Sequence, residues 1–243
     1  MTAAPWFFSP GLKDQPAALD LTTDESRHLA GSRRLRVGDH VTVFDGAGTT
    51  AAGRVMSIKD RPPKVGLELT DYLHVSEYLP RIHLMSAVPK GDRQSILLDM
   101  ATQLGISDYT PLSCLRSTVK PGENAAARWE RIMIEACKQC HRAWIPKIHS
   151  SESVETIANR EQSARQIVLV ADLAGGPVAE LTAGDLDEVV LLVGPEGGFG
   201  SAEINRLRAA GATMVTLGSG ILRTETAAVA ILSNTQSVLR AGS

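Results

Sequence analysis

Two apolar runs late in the chain, VVLLV at 189–193 and ATMVTL at 212–217, both stop at glycine. Short apolar runs bounded by glycine read as buried strands. GPEGGFG (194–200) and then AEINRL follow the first run; GSGILR (218–223) and then ETAAVAIL follow the second. Both trailing segments read as helices, with Ser201 and Thr224 as N-cap residues. The order strand, glycine turn, helix therefore occurs twice.

The pattern upstream is different. Residues 1–75 hold short β-like runs. HVTVFDG (40–46) alternates and ends in an Asp-Gly turn, TAAGRVMSI (50–58) follows, and KVGLELTDYL (64–73) comes after the turn-rich DRPPK. TDESRHLAGSRRL (23–35) reads as a short helix. These elements predict a small closed β domain over 1–75, with the polar, proline-ended HVSEYLP (74–80) as boundary to a second domain over 76–243. In that second domain RIHLMSAV (81–88) and DYTPLS (108–113) read as strands. Between them, Ile96, Leu97, Met100, Ala101 and Leu104 fall on one helical face ended by Gly105. Residues 124–142 and 150–166 read as helices and QIVLVADL (166–173) as a buried strand. This β/α alternation predicts an α/β domain with a mainly parallel sheet.

Composition narrows the class. The chain has 243 residues, 43% hydrophobic and 21% charged, enough for one large or two modest domains. No apolar run reaches the ~18–20 residues of a membrane span, so no membrane partner is expected. MTAAPWFFSPGLKDQ has neither a basic region nor a long apolar core, so no signal peptide is expected. Three cysteines argue against a disulfide scaffold and fit a reducing cytoplasm. A net charge of −2 leaves any nucleic-acid affinity to local patches. Two basic clusters exist, one of Arg27, Arg33, Arg34 and Arg36, the other of Lys138, Arg142 and Lys147. Each is a solvated face or an RNA-binding patch.

Parallel strands with glycine turns at their carboxyl ends are where open α/β sheets bind ligands. GPEGGFG lacks the Lys and Ser/Thr of a phosphate-binding loop, and neither turn is G-x-G-x-x-G. Either the turns serve a ligand without a pyrophosphate, or they are ordinary connections. Glu196 in the first turn suits a cationic ligand or a target base. Glu225 suits a helix start. Cys137-x-x-Cys140 lacks two further ligands at suitable spacing, so no metal is expected. Trp129 reads as core, and Trp144 as a surface for stacking on bases.

GPEGGF followed by LGSGILRTETAA resembles the paired signature of the SPOUT methyltransferases, and its wording is similar to that of the ribosomal RNA small-subunit methyltransferase E family. His28, Arg34, Gly38 and Phe44-Asp45-Gly46 follow that family near the N-terminus. PKGDR (89–93), Leu104-Gly105, Arg116, Glu135, Gln139, Arg142 and Pro146 follow it in the middle. Met100, Gln103, Leu115 and Ser32 depart from it. The resemblance implies a PUA-like β-barrel, then a SPOUT domain with a C-terminal trefoil knot, in a homodimer. It implies methylation of N3 of a uridine in 16S rRNA of the small ribosomal subunit, with S-adenosylmethionine as cofactor. Cofactor contacts would come from Val193, Gly194, Glu196 and Gly197, and from Leu217, Gly218, Ile221, Leu222, Arg223, Thr226 and Ala227. Arg223 and Glu196 are the catalytic candidates, and His28, Arg33, Arg34, Arg116, Gln139 and Arg142 would face RNA. Two alternatives remain open: another methylation, at ribose 2′-O or guanine N1, and an RNA-binding assembly factor without catalysis.

Overall fold

Both ends of one parallel sheet carry polar chemistry, and its middle is mainly apolar, with Ser86 and Thr110 among the buried polar exceptions. The computed structural model describes residues 4–32, 35–178 and 185–241, which fall into two units. The first contains residues up to Glu77 together with Ile134–Ile145; the second contains Tyr78–Met133 and the chain from Pro146 onward.

In the first unit the strands are β1 (Trp6–Phe8), β2 (Ala18–Asp20), β3 (His40–Phe44), β4 (Thr49–Asp60) and β5 (Pro63–His74), in sheet order β1-β3-β4-β5-β2. The β4–β5 hairpin changes register twice, between Thr50 and Ala52 and between Val55 and Ser57. Such bulges bend long strands and increase their twist, and the sheet curves over a core that includes Phe7, Leu12, Leu29, Val43 and Leu67. Helix α1 covers only Thr23–Arg27 and passes into a wider turn over 28–32, shorter than the predicted 23–35. The predicted Asp-Gly turn is present. Asp45 Oδ1 accepts the backbone N–H groups of Ala47 and Thr49 at 2.8 and 2.9 Å.

The second unit holds β6 (Arg81–Ala87), α2 (Arg93–Gln103), β7 (Asp108–Ser113), the first part of α3 (Ala125–Cys140), β8 (Lys147–Ile148), β9 (Glu152–Ser153) and α4 (Val154–Ala158). It continues with β10 (Gln166–Pro177), β11 (Glu188–Val193), α5 (Ser201–Ala209), β12 (Thr213–Thr216) and α6 (Thr224–Ala241). The sheet order is β12-β10-β11-β6-β7-β8, with β9 also on β7, and every pairing is parallel. Of the predicted helix 150–166, only the five residues of α4 are helical. On α2 the buried face carries Gln94, Leu97, Leu98 and Ala101, while Ile96 is exposed. Apolar residue types alone misplaced that face by one position. Trp129 is buried edge-on against Tyr109, as core.

At the amino ends of β6, β7 and β11 lies an ionic network. Arg81 Nη2 donates to Asp108 Oδ2 at 2.5 Å, and His149 Nε2 lies 2.7 Å from Asp108 Oδ1. His83 sits between Thr110 Oγ1 at 2.8 Å and Glu188 Oε1 at 3.7 Å. Burial pushes the Asp108 carboxyl up, but Arg81 and His149 outweigh it and hold it below the usual carboxylate range. A depressed folded-state pKa gives stability that is present above the unfolded value of about 4 and lost as pH falls through the folded value. Asp108→Asn is therefore expected to cost about 2–3 kcal/mol at pH 7. The gap from the parent protein should close as pH falls below about 4. Urea unfolding of both proteins at pH 7, 5 and 3 reads this, and a gap unchanged at pH 3 would place the loss elsewhere.

Candidate functional site

A cavity of about 350 Å³ opens at the carboxyl ends of β10, β11 and β12. Strand–turn–helix order explains why. Each parallel strand delivers its turn to the same edge, and the crossover helix carries the chain away again. From β11 come Val193, Gly194, Pro195, Glu196, Gly197, Gly198 and Phe199. From beyond β12 come Leu217, Gly218, Gly220, Ile221 and Leu222, with Thr224 and Ala227 of α6 behind them. Nine of the predicted cofactor contacts thus meet around one cavity, on two of its walls. Arg223 and Thr226 do not line the cavity and are exposed. Both sit where the chain enters α6, and the Arg223 carbonyl accepts the Ala227 N–H at 2.8 Å. Arg223 is therefore the residue that caps α6, and Thr224 is its first helical residue. Likewise Gly200 precedes α5, and Ser201 lies inside it.

The sequence reading missed a third wall, Ala171, Asp172, Leu173 and Ala174. These residues occupy an irregularity in β10, between Ala171 and Gly176, where pairing with β12 shifts register. Gly175 permits it: a Cβ there would lie 2.5 Å from the Met214 and Val215 backbone. The Gly175-Gly176-Pro177 run after a strand was the available signal.

The first glycine turn offers few side chains, yet four contacts hold it. Arg93 Nη1 lies 3.2 Å from Glu196 Oε1. Arg116 Nη1 donates to the Gly197 carbonyl at 2.6 Å, and the Thr224 hydroxyl donates to the Gly194 carbonyl at 3.2 Å. Glu203 accepts the N–H of Gly200 at 2.7 Å and that of Leu115 at 2.8 Å. Arg116, expected to face RNA, is thus spent at least in part on the turn, and Glu196 has a cationic partner.

Among the described residues no Lys, Arg or His lines the cavity, and the acidic ones that do are Asp172 and Glu196. That wall suits a ligand with positive charge and apolar surface, and does not suit a polyphosphate. Gly218 adopts φ +142°, and a Cβ built there meets no protein atom within 4 Å.

The other expected RNA contacts lie in the first unit. Lys138 is buried, with Nζ 2.8 Å from both Glu25 Oε1 and Glu135 Oε1 and 5.8 Å from the centroid of the Phe7 ring. His28 Nδ1 lies 3.3 Å from that ammonium. The Trp144 indole donates to the Val75 carbonyl at 2.8 Å and packs on Gly48. Gln139 is exposed and Arg142 half-buried. Arg33 and Arg34 lie outside the described residues. Cys137 is buried, its thiol pushed up to about 12 chiefly by burial, and His141 stacks on Trp6 at 5.2 Å. Among the described residues no group of three His, Cys, Asp or Glu side chains is placed to hold a metal, and no helix is long and apolar enough to cross a membrane.

Residues 77–236 match the model of an RNA methyltransferase domain, and residues 21–68 that of an RNA methyltransferase PUA domain. The chain is 31% identical over 231 residues to ribosomal RNA small subunit methyltransferase E of Synechocystis, covering 92% of this chain and 74% of that one. The Bacillus subtilis protein of the same name is 28% identical, with 90% of each chain covered. Among solved structures, the Neisseria gonorrhoeae ribosomal RNA small subunit methyltransferase E bound to S-adenosylmethionine superposes with a TM-score of 0.87 at 26% identity, covering 97% of this chain and 98% of that one. A putative methyltransferase from Legionella pneumophila, also in complex with that cofactor, gives 0.82 at 28% identity with the same coverage. The strand–turn–helix pairs, the N-terminal β unit and the extent of these matches together make the chain a member of the ribosomal RNA small subunit methyltransferase E family.

Proposed function

We propose that this protein uses S-adenosylmethionine to methylate N3 of a uridine in the 16S rRNA of the small ribosomal subunit. The observation that carries the cofactor assignment is the cavity itself. It has the size of a small-molecule site, glycine backbone on two sides, and two carboxylates on its wall, of which Glu196 is paired with Arg93 and Asp172 has no described cation beside it. Two family relatives of known structure hold S-adenosylmethionine. The family relatives named for small-subunit rRNA support the substrate class, and the ILRTETAA wording supports N3.

Bound there, the cofactor supplies an electrophilic methyl group on a positively charged sulfur. Val193, Gly194, Gly197, Leu217, Gly218, Ile221, Leu222 and Ala227 would hold it, largely through backbone groups and apolar contacts. Glu196, paired with Arg93, adds a carboxylate at the first turn. N3 of neutral uracil carries a proton, and its loss creates the nucleophile. Arg223 is exposed just beyond the cavity wall, a position suited to the target base. A guanidinium stays charged above pH 12, so Arg223 would favour the N3 anion without taking the proton. Gln139 and Arg142, with Arg33 and Arg34, would contact RNA in the first unit. The same reading includes the C-terminal knot, a homodimer and a cytoplasmic location.

Three outcomes test this. Small-subunit particles incubated with the protein and labelled cofactor should yield 3-methyluridine on nucleoside analysis. A ribose-methylated or guanine-methylated product would move the chain to another activity, and no product with intact cofactor binding would make it an assembly factor. Gly218→Val should abolish cofactor binding in calorimetry while the protein stays folded. A β-branched residue resists that φ, and its side chain would occupy space free of protein atoms. Arg223→Lys should lower kcat roughly 10²–10³-fold, as loss of a preorganised electrostatic contact does, with cofactor affinity kept. Loss of affinity with kcat retained would instead make Arg223 a cofactor clamp.

A further inference from the structure

The cavity wall is charged unevenly. It carries two carboxylates, Asp172 and Glu196. Glu196 is matched by Arg93 at 3.2 Å. Asp172 has no described cation beside it. Its Oδ1 accepts the Ala174 N–H at 2.8 Å, which closes the irregular turn of β10 and fixes the side chain at the wall. The other polar side chain on the wall, Thr224, is turned to the Gly194 carbonyl. Among the described residues, one negative charge therefore remains without a cation in a concave site.

We propose that Asp172 is the residue by which this cavity distinguishes a sulfonium ligand from its neutral thioether counterpart. The inference rests on the cofactor reading above and adds a selectivity to it. S-adenosylmethionine and S-adenosylhomocysteine share adenine, ribose, carboxylate and ammonium. They differ by one methyl group and by the positive charge on sulfur. Groups that read the shared parts bind both alike. A charge that senses the sulfur region separates them by the larger of these two differences, and among the described residues Asp172 is the carboxylate on the wall without a cation beside it. A concave site with low-dielectric walls focuses such a field. At an intermediate dielectric and a separation of several ångströms, the effect is about tenfold in affinity. The functional consequence is direct. Methyl transfer removes the sulfonium charge, so the same carboxylate that favours loading of the reagent ceases to hold the spent product. Glu196 serves this purpose less well, because its pairing with Arg93 makes that end of the wall electrically neutral.

The test is calorimetric titration of the full chain with each ligand separately, in the parent protein, Asp172→Asn and Asp172→Glu, at low and moderate salt. Asparagine is the informative change, since its side-chain oxygen still accepts the Ala174 N–H while the charge is gone. Asp172→Ser, which also retains an acceptor, serves if the asparagine variant does not fold. The parent should prefer S-adenosylmethionine about tenfold. The neutral variants should lose about tenfold in affinity for it, hold S-adenosylhomocysteine within twofold, and so show no preference. Asp172→Glu should retain the preference, and added salt should shrink it in the parent. Equal weakening of both ligands would mean that Asp172 binds a group common to them, and would overturn the proposal. So would unchanged affinities in the neutral variants, or a parent without preference. A folded parent that binds neither ligand would overturn the cofactor reading itself, a result distinct from all of these.

Discussion

A turn made mostly of glycine cannot hold itself in place. Residues 194–200 include four glycines, and each ordered glycine loses more backbone freedom on folding than any other residue. The shape of the cavity therefore depends on contacts from outside the turn. Four come from different parts of the second unit: Arg93 at the start of α2, Arg116 beyond β7, Glu203 in α5 and Thr224 in α6. Three of them act on backbone groups, so they fix the turn's path and leave its inner face open. Glu203 does most, because one carboxylate takes two backbone N–H groups, from Gly200 and from Leu115. It thereby ties the loop carrying Arg116 to the base of the turn. Charge-assisted bonds of this kind are roughly twice as strong as neutral ones.

The two ends of the parallel sheet carry opposite chemistry, and β11 reaches both. At their amino ends Arg81, His83, Asp108, His149 and Glu188 satisfy one another. His83 and Gln166 keep Glu188 below the ordinary carboxylate range. At their carboxyl ends the acidic groups are only half matched. Buried ions that lack partners cost several kcal/mol, so the closed network at one end is what packing requires. The open balance at the other end is tolerable because Glu196 is exposed and Asp172 only half-buried. The apolar middle, with Leu84, Val170, Leu191 and Val193 buried, separates the two.

What the sequence revealed followed from local pattern. VVLLV is an uninterrupted apolar run, RIHLMSAV and QIVLVADL are predominantly apolar, and all three are strands whose central residues, such as Leu84, Val168 to Val170 and Val189 to Val193, are buried, as parallel strands covered on both faces are. The two glycine turns were visible because glycine has few other reasons to cluster. The third wall at 171–174 was not, because a register shift depends on the neighbouring strand β12, which lies some forty residues away in sequence. The segment 150–166 was read as helix from composition; pairing of Glu152 and Ser153 with β7 used part of it for strand instead. Arg116 has no local mark of its bond to Gly197, since that contact joins residues 81 apart in sequence.

Charge in the first unit shows the same limit more sharply. Counted along the chain, Lys138 belongs to a basic cluster with Arg142 and Lys147. In the folded unit its ammonium is buried between Glu25 and Glu135 over the Phe7 face. Removing one member of such a pair would leave the other ion stranded, at about 3–5 kcal/mol, which makes Lys138 a packing residue and takes it out of any RNA surface. His28, beside that ammonium and edge-on to Phe7, is drawn into the same arrangement. Arg27 is exposed but paired with Asp24 at 3.0 Å; in water such a pair is worth less than about 1 kcal/mol, so its guanidinium stays exchangeable for a phosphate. Basic residues adjacent in sequence thus divide by burial into those committed to folding and those still able to meet a polyanion. That division, and not the net charge of −2, decides what the unit can bind.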